Sequence, residues 1–492
     1  MLRAATSCLI AALFLVPAAG RGGELQDDLK GRRARLLEKL DPETIFVLFS
    51  SPTRVYSLDV DYEYRQDSDM LYLTGSDQED TTLVLMPGNK TKKEILFVHD
   101  PDPRREHWQG HLFTVDEARA ASGIDTVYLA SQWNAFIGQT LNGSAYPRRS
   151  GTRNEEYDAF FDALKAGKAK LALVYGRRPG PDEPLTPVLE FARAVRERSS
   201  GVEIRDVTGL VSGLRQVKTA YERKVLARSV EISAEAHVAA MKTARPGRWE
   251  YEVEAALEQV YLANGAMSPG YPSIVASGPN ATVLHYGKSS RQMKDGDLLL
   301  LDAAGSYQGL TGDITRTYPV NGTFTAEQRE IYRIALAAQD AGAKAAVVGN
   351  TTNDVEKAVA ESIKEGLLRI GLITDTKGDQ FRTWATHGVC HWIGMDVHDV
   401  GDYRRPLEPG MAFVIEPGIY IRETSLDNLE KTAENKAFSE KVRPAVAKYK
   451  DIGVRIEDSF LLTESGLVRM SAKAPWKLEE LEALLKARPP LR

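Results

Sequence analysis

Four carboxylates stand where a folded chain can keep them only if something neutralises them. Asp302 closes Gly296-Asp-Leu-Leu-Leu-Leu-Asp302, and Asp313 follows in Gly312-Asp-Ile-Thr-Arg-Thr-Tyr318. Glu416 ends Met411-Ala-Phe-Val-Ile-Glu416, and Glu457 ends Gly453-Val-Arg-Ile-Glu457. A carboxylate in or beside such an apolar run is costly unless it is paired or metal-bound. Between the two pairs lies His387-Gly-Val-Cys-His-Trp-Ile-Gly-Met-Asp-Val-His-Asp-Val-Gly401, which places His387, His391 and His398 in one short stretch. Imidazole serves both divalent metal ligation and proton transfer near neutral pH. Taken alone, three of the chain's 8 histidines also fit satisfied core or surface positions. The surrounding carboxylates turn the reading toward a hydrolytic or metal site.

The aspartate passage reads as a β-hairpin with Gly305-Ser306 in its turn, so that Asp302 and Asp313 fall on neighbouring strands. Cross-strand neighbours stand roughly 5 Å apart, a gap two carboxylates can share with one cation. Capping of turns by these aspartates is the structural alternative. In Gly453-Val-Arg-Ile-Glu457, alternation sends Val454 and Ile456 one way and Arg455 and Glu457 the other, which makes Arg455 a neighbour of the site.

At 492 residues the chain exceeds what one core organises, so two or more domains are expected. Lys plus Arg total 63 against 68 Asp plus Glu, a formal charge of −5 without the basic excess of a nucleic-acid binder. Residues 1–20 read as an export signal: Arg3, an apolar run over 8–16 too short to span a bilayer, and small residues near Ala19 and Gly20 where cleavage would fall. The product would be periplasmic or secreted; an uncleaved anchor is the alternative. Only Cys8 and Cys390 occur, and the first departs with the signal, so no internal disulfide is expected. No later apolar run reaches about eighteen residues, and no stable membrane span is expected.

Residues 24–210 mix strands with helices. A helix is expected over 25–40, strands over 44–50, 70–74, 82–86, 94–98 and 171–175, and helical spacing over 185–195. This pattern suggests a partly parallel sheet with helices packed on it. His99, His107 and His111 read as a surface loop. The sheet-like text ends near 213–218, and a second domain is expected over 211–485. Thr219-Ala-Tyr-Glu222 and Thr325-Ala-Glu-Gln328 are capping boxes opening helices to about 244 and 348, while Asn264-Gly265 ends a helix begun near Trp249. A further helix is expected over 352–372. Residues 422–450, charged and helical in tendency, read as a surface excursion.

The set DAAGSYQGLTGDITRTYPVNGTFT, HGVCHWIGMDVHDVG, PGMAFVIEPGIYI and GVRIED closely resembles the pita-bread metallopeptidases, specifically their aminopeptidase P and prolidase branch. RRARLLEKL and YRQDSDMLYLTG resemble the N-terminal domain of aminopeptidase P. The resemblance spans most of the mature chain, residues 422–450 least. It implies an α/β (α+β) protein: a creatinase-type α/β domain over 24–210, then a pita-bread catalytic domain over 211–485. It also implies two divalent ions, Mn²⁺ by preference with Co²⁺ or Zn²⁺ as alternatives. Asp302 and Asp313 would hold one ion, His391 and Glu416 the other, with Asp313 and Glu457 bridging. Four carboxylates balance two divalent ions, and a hydroxide between them would be a usable nucleophile at neutral pH. Oxygen-rich ligation with one imidazole suits Mn²⁺.

By the same resemblance His398 would hydrogen-bond the scissile carbonyl and His285 would line the prolyl side of the cleft. Glu416 would shuttle a proton to the leaving nitrogen. Arg455 and Tyr420 would orient ligands and close the site, and His387 would support the loop. Cys390 is set aside as nucleophile or ligand, since the metal set is complete without it. The implied substrates are peptides with proline at the second position, cut before the proline. A prolidase confined to Xaa-Pro dipeptides is the alternative. A non-catalytic binding protein, or a metal-free amidine hydrolase, on the same fold is a further one, disfavoured because all five ligand positions are filled. Relatives of this kind form homodimers or homotetramers.

Overall fold

The structure, a computed structural model, describes residues 22–148 and 155–488. The expected export segment, residues 1–20, lies outside the described residues. The chain divides into two compact units, one ending at Val207 and one beginning at Thr208. The boundary expected at 210–211 therefore falls inside the helix Thr208–Gln216, which opens the second unit.

The first unit is built on a six-stranded sheet in the order Thr126–Leu129, Glu94–Val98, Thr82–Leu85, Thr44–Phe49, Ala169–Leu173, Val202–Asp206. Three of its pairings are parallel and the two made by Thr82–Leu85 are antiparallel. Ile45, Val47, Val84, Phe97 and Leu171 bury one face against Phe136 and Phe160 from the covering helices. Residues 70–74 form no strand; they lie in the helix Ser68–Thr74. Its caps override the β-preference of Tyr72 and Thr74: the Asp67 carboxylate accepts from the N–H groups of Asp69 and Met70, and Gly75 closes the helix at φ 68°. The three histidines do not share a loop. His99 is buried and bonded to Gln78, His107 lies on the helix Pro103–Gln109, and only His111, beside Glu117, is on exposed connecting chain.

In the second unit, long helices cover small antiparallel sheets. One sheet joins Ile274–Ser277, Leu298–Asp302 and Thr315–Pro319, another Ala412–Ile415, Asp458–Thr463 and Gly466–Arg469, and a third Gly418–Tyr420 and Gly453–Arg455. The capping boxes at Thr219 and Thr325 are formed and open the helices Ala220–Thr243 and Ala326–Ala345. One apolar core runs through Ile232, Leu257, Leu299, Ile334, Phe413 and Val454. The hairpin turn is at Gln308-Gly309, both at positive φ, between Gly305–Tyr307 and Leu310–Thr311, as a two-residue connection requires. Asp302 therefore faces Thr315 across the ladder, and Asp313 sits on the irregular chain just before Thr315–Pro319. Residues 422–450 are not a mere excursion. The helix Ala433–Tyr449 sends Phe438, Val442, Val446 and Tyr449 into the main core, its charges lying on the other face. Among the described residues, no helix is long and apolar enough to cross a membrane.

Candidate metal centre

The five donors arrive on five separate stretches of chain, four of them at or beside strand ends. Asp302 ends a fully buried strand, Asp313 precedes Thr315–Pro319, Glu416 links Ala412–Ile415 to Gly418–Tyr420, and Glu457 links Gly453–Arg455 to Asp458–Thr463. His391 lies on chain that runs alongside Ala412–Ile415, its carbonyl accepting from the Val414 N–H at 2.9 Å. Ligating atoms of Asp313, His391 and Glu457 all come within 4.8 Å of one another.

Outer and inner atoms of this group are treated differently by the scaffold. The Tyr271 hydroxyl reaches both Asp302 Oδ1, at 2.8 Å, and Asp313 Oδ1. Arg455 Nη2 binds Asp302 Oδ2, and the Thr315 hydroxyl donates to Glu457 Oε2 at 2.7 Å. One inner atom has no such partner. Glu457 Oε1 is buried without a hydrogen bond. His391 directs Nδ1 at the Trp392 carbonyl, 3.1 Å away, which turns Nε2 toward the carboxylates. Nε2 faces Asp313 Oδ2 at 3.5 Å, Glu416 Oε1 at 3.5 Å and Glu457 Oε1 at 3.7 Å. One imidazole nitrogen and three carboxylate oxygens converging on a buried point, with Glu457 Oε1 unbonded, make a donor set that fits divalent ions.

The electrostatics agree. Burial, then the charges of Glu457 and Asp302, push the Asp313 carboxyl well above the usual range. Burial and Glu457 do the same to Glu416. At Asp302 burial pushes upward, but Arg455 and Tyr271 outweigh it and hold that carboxyl below its usual range.

The other expected residues surround this group. Arg455 Nη1 donates to the Tyr420 hydroxyl at 2.8 Å, which lies 2.8 Å from His387 Nε2, while His387 Nδ1 meets the Gly388 carbonyl at 2.6 Å. Burial and the nearby Arg455 lower the His387 pKa to about 4, so its ring is neutral at pH 7. His387 Nδ1 also stands 3.7 Å from Glu416 Oε2. The exposed His398 ring meets the His391 ring edge-on at 4.4 Å. Desolvation, His391 and His285 hold its pKa below the ordinary value. His285 is exposed on the chain after Gly278–Thr282. Cys390 is buried, and burial pushes its thiol far up, away from nucleophilic use.

Three contributors escape a reading of the sequence. Tyr271 and Thr315 hold the outer carboxylate oxygens, and Glu356 accepts from the N–H groups of Val389 and Cys390 at 2.7 and 3.1 Å, fixing the histidine segment. Only Glu356 carries a signal: it lies on the helix Thr352–Arg369 beside the buried stripe of Val355, Val359 and Ile363. Tyr271 and Thr315 carry none.

The sequence profile of metallopeptidase family M24 matches residues 224–464, and that of the aminopeptidase P N-terminal domain matches residues 29–146. The chain is 34% identical to the Xaa-Pro aminopeptidase of Escherichia coli (strain K12) over 475 residues, covering 94% of this chain and 98% of that one. It is 32% identical to the Xaa-Pro aminopeptidase of Haemophilus influenzae over 469 residues, 94% and 97% of the two chains. Among solved structures, Pseudomonas aeruginosa aminopeptidase PepP aligns with a TM-score of 0.77 at 33% identity, covering 94% of this chain and 98% of that one. Escherichia coli aminopeptidase P with the inhibitor Pro-Leu aligns with a TM-score of 0.77 at 32% identity, with the same coverage. Likeness over nearly the full length, joined to a buried donor set built for divalent cations, has one consequence: the chain belongs to metallopeptidase family M24, with the N-terminal domain of aminopeptidase P.

Proposed function

We propose that this chain is a metal-dependent aminopeptidase that hydrolyses the bond between an N-terminal residue and a following proline. The observation that carries the reading is His391 Nε2 set among inner carboxylate oxygens of Asp313, Glu416 and Glu457. Relatives matching 94% of the chain are Xaa-Pro aminopeptidases, and the Escherichia coli one is solved with Pro-Leu as inhibitor.

Asp302 and Asp313 would hold one ion and His391 and Glu416 the other, with Asp313 and Glu457 shared. When bound, such a pair supplies Lewis acidity and makes water a usable nucleophile at neutral pH. An oxygen-rich set with one imidazole favours Mn²⁺ over a zinc-type thiolate site. The chain's own groups do the rest. Arg455 and Tyr271 fix Asp302, and Thr315 fixes Glu457, so the donors are oriented before substrate arrives. Glu416, whose carboxyl is pushed up by burial, can carry a proton to the leaving prolyl nitrogen. That nitrogen belongs to a tertiary amide and leaves only when protonated. His398, exposed beside His391, would donate to the scissile carbonyl oxygen as charge develops there. His285 lines the prolyl side. Residues 1–20 are taken as an export signal to periplasm or medium, and the assembly as a homodimer or homotetramer.

The test is hydrolysis of Arg-Pro-Pro and Gly-Pro by metal-stripped protein with and without added Mn²⁺. Manganese-dependent release of arginine from the tripeptide is expected. Cleavage of the dipeptide alone would make the protein a prolidase, and hydrolysis of neither with metal bound would make it a binding protein.

A further inference from the structure

Residues 277–291 leave the strand Ile274–Ser277 and return beside the start of the helix Glu250–Ala263, and both ends of this loop close on one side chain. Glu250 is fully buried and accepts five hydrogen bonds, all from the loop. Its Oε1 receives the Ser277 N–H at 2.7 Å, the Ser277 hydroxyl at 2.7 Å and the Asn280 amide at 3.1 Å. Its Oε2 receives the Tyr286 hydroxyl and the Arg291 N–H, each at 2.9 Å. The Arg291 guanidinium goes instead to Ser277 Oγ and Asp297. A buried carboxylate held by neutral donors is an expensive way to begin a helix. Helix capping does not account for it, because Glu252 already accepts from the Trp249 N–H at 2.8 Å. What the five bonds share is the loop.

That loop carries His285 between two anchored neighbours. Tyr286 bonds Glu250, and the Leu284 carbonyl lies 3.5 Å from Arg455 Nη2, the same nitrogen that binds Asp302. Leu284 and Tyr286 pack against Ile274, Ala281, Leu300 and Tyr420. We infer that Glu250 is a positioning residue for His285: by closing both ends of the loop and gripping Tyr286, it fixes where the imidazole stands relative to Arg455 and the donor set. The inference rests on the reading that His285 faces the bound peptide.

Two readouts test it on the full-length, metal-loaded protein. Hydrogen exchange reads the loop directly: in Glu250→Gln, amides of 277–291 should exchange about tenfold faster or more, since one buried acceptor becomes a donor facing N–H groups. The remainder of the chain and the metal content should match wild type. Kinetics on Arg-Pro-Pro read the consequence. Glu250→Gln should lower kcat/KM by about tenfold, mostly through KM, and by less than about twofold in a His285→Ala background, because the two act through one group. Tyr286→Phe keeps the carboxylate and removes the hydroxyl that donates to Glu250 next to His285 and accepts from the Ser290 N–H at 3.4 Å; it should shift the same quantities by a smaller factor, and it serves if Glu250→Gln does not fold. Unchanged exchange in the loop, or the same kinetic factor with and without His285, overturns the inference. If wild type leaves Arg-Pro-Pro intact, the functional reading fails while the exchange result still decides whether Glu250 holds the loop.

Discussion

Asp313→Asn keeps the shape of a side chain and removes one charge from the centre, and its effect on stability should reverse with metal. Ligating atoms of Asp313 and Glu457 lie within 4.8 Å. Two carboxylate charges at that separation repel by roughly 3 kcal/mol at an effective dielectric of about 20. Burial and the neighbouring carboxylates push the Asp313 carboxyl well above the usual range, so the metal-free fold retains a proton that the unfolded chain releases near pH ~4. Above that pH the folded state binds more protons than the unfolded one, and this group's contribution falls as pH rises toward the folded value. The asparagine variant escapes the loss. In chelator at pH 8 it should be more stable than wild type by up to about 3 kcal/mol, a gap that closes as the pH is lowered toward ~4. With Mn²⁺ at a thousandfold excess over its dissociation constant, wild type gains about 4 kcal/mol and the variant little, so the order inverts. Urea unfolding of both proteins, chelated and loaded, at pH 8 and pH 5 decides the matter. A chelated variant less stable than wild type at pH 8, or equal stabilisation of both by manganese, would refute the repulsion on which the centre's reading depends.

Tyr271→Phe removes only the hydroxyl that reaches Asp302 and Asp313, and should weaken metal affinity by about 10- to 100-fold in a titration against a competing chelator; an unchanged affinity would exclude the hydroxyl from the centre's construction. Lys218→Met strips one of two cations from Asp399, whose carboxylate is fully buried and receives Lys218 Nζ at 2.7 Å beside Arg215. The loss should be about 3 kcal/mol in chemical denaturation, the low end for breaking a buried pair because Arg215 remains; a midpoint equal to wild type would show the cluster to be energetically idle.

What could be read from the sequence was whatever leaves a local mark. Glu416 and Glu457 stand at the ends of apolar runs, so their chemistry shows in the letters around them. The capping boxes at Thr219 and Thr325 are likewise written within four residues. Gly305-Ser306 looks like turn text, yet the ladder continues to Gln308-Gly309, because nothing local distinguishes a strand-borne Gly-Ser from one in a turn. Residues 70–74 are strand-like in composition and become helical through Asp67 and Gly75 on either side. The contributors with no local mark were invisible: Thr315 meets Glu457 across 142 positions and Tyr271 meets Asp313 across 42. A hydroxyl chosen for a partner that distant looks like any other hydroxyl.

The same alternation that brings Thr315 and Glu457 to the centre explains how so much negative charge is held in register. These two residues form an isolated antiparallel bridge, and their successors, Arg316 and Asp458, point to the opposite side. There Arg316 Nη2 meets Asp458 Oδ1 at 2.6 Å, both side chains wholly buried, and Arg316 Nη1 binds the carbonyls of Thr315 and Glu457 at 2.9 and 2.6 Å. Arg469 and Ser471 also serve Asp458. A buried pair of this kind adds little net stability beyond what apolar packing would give, but it admits few alternative arrangements of the backbone it clamps. Its place directly behind Thr315 and Glu457 means that the backbone presenting the shared carboxylate is fixed from the far side. The inner oxygen of Glu457 can then stay free of hydrogen bonds without the strand shifting to find it one.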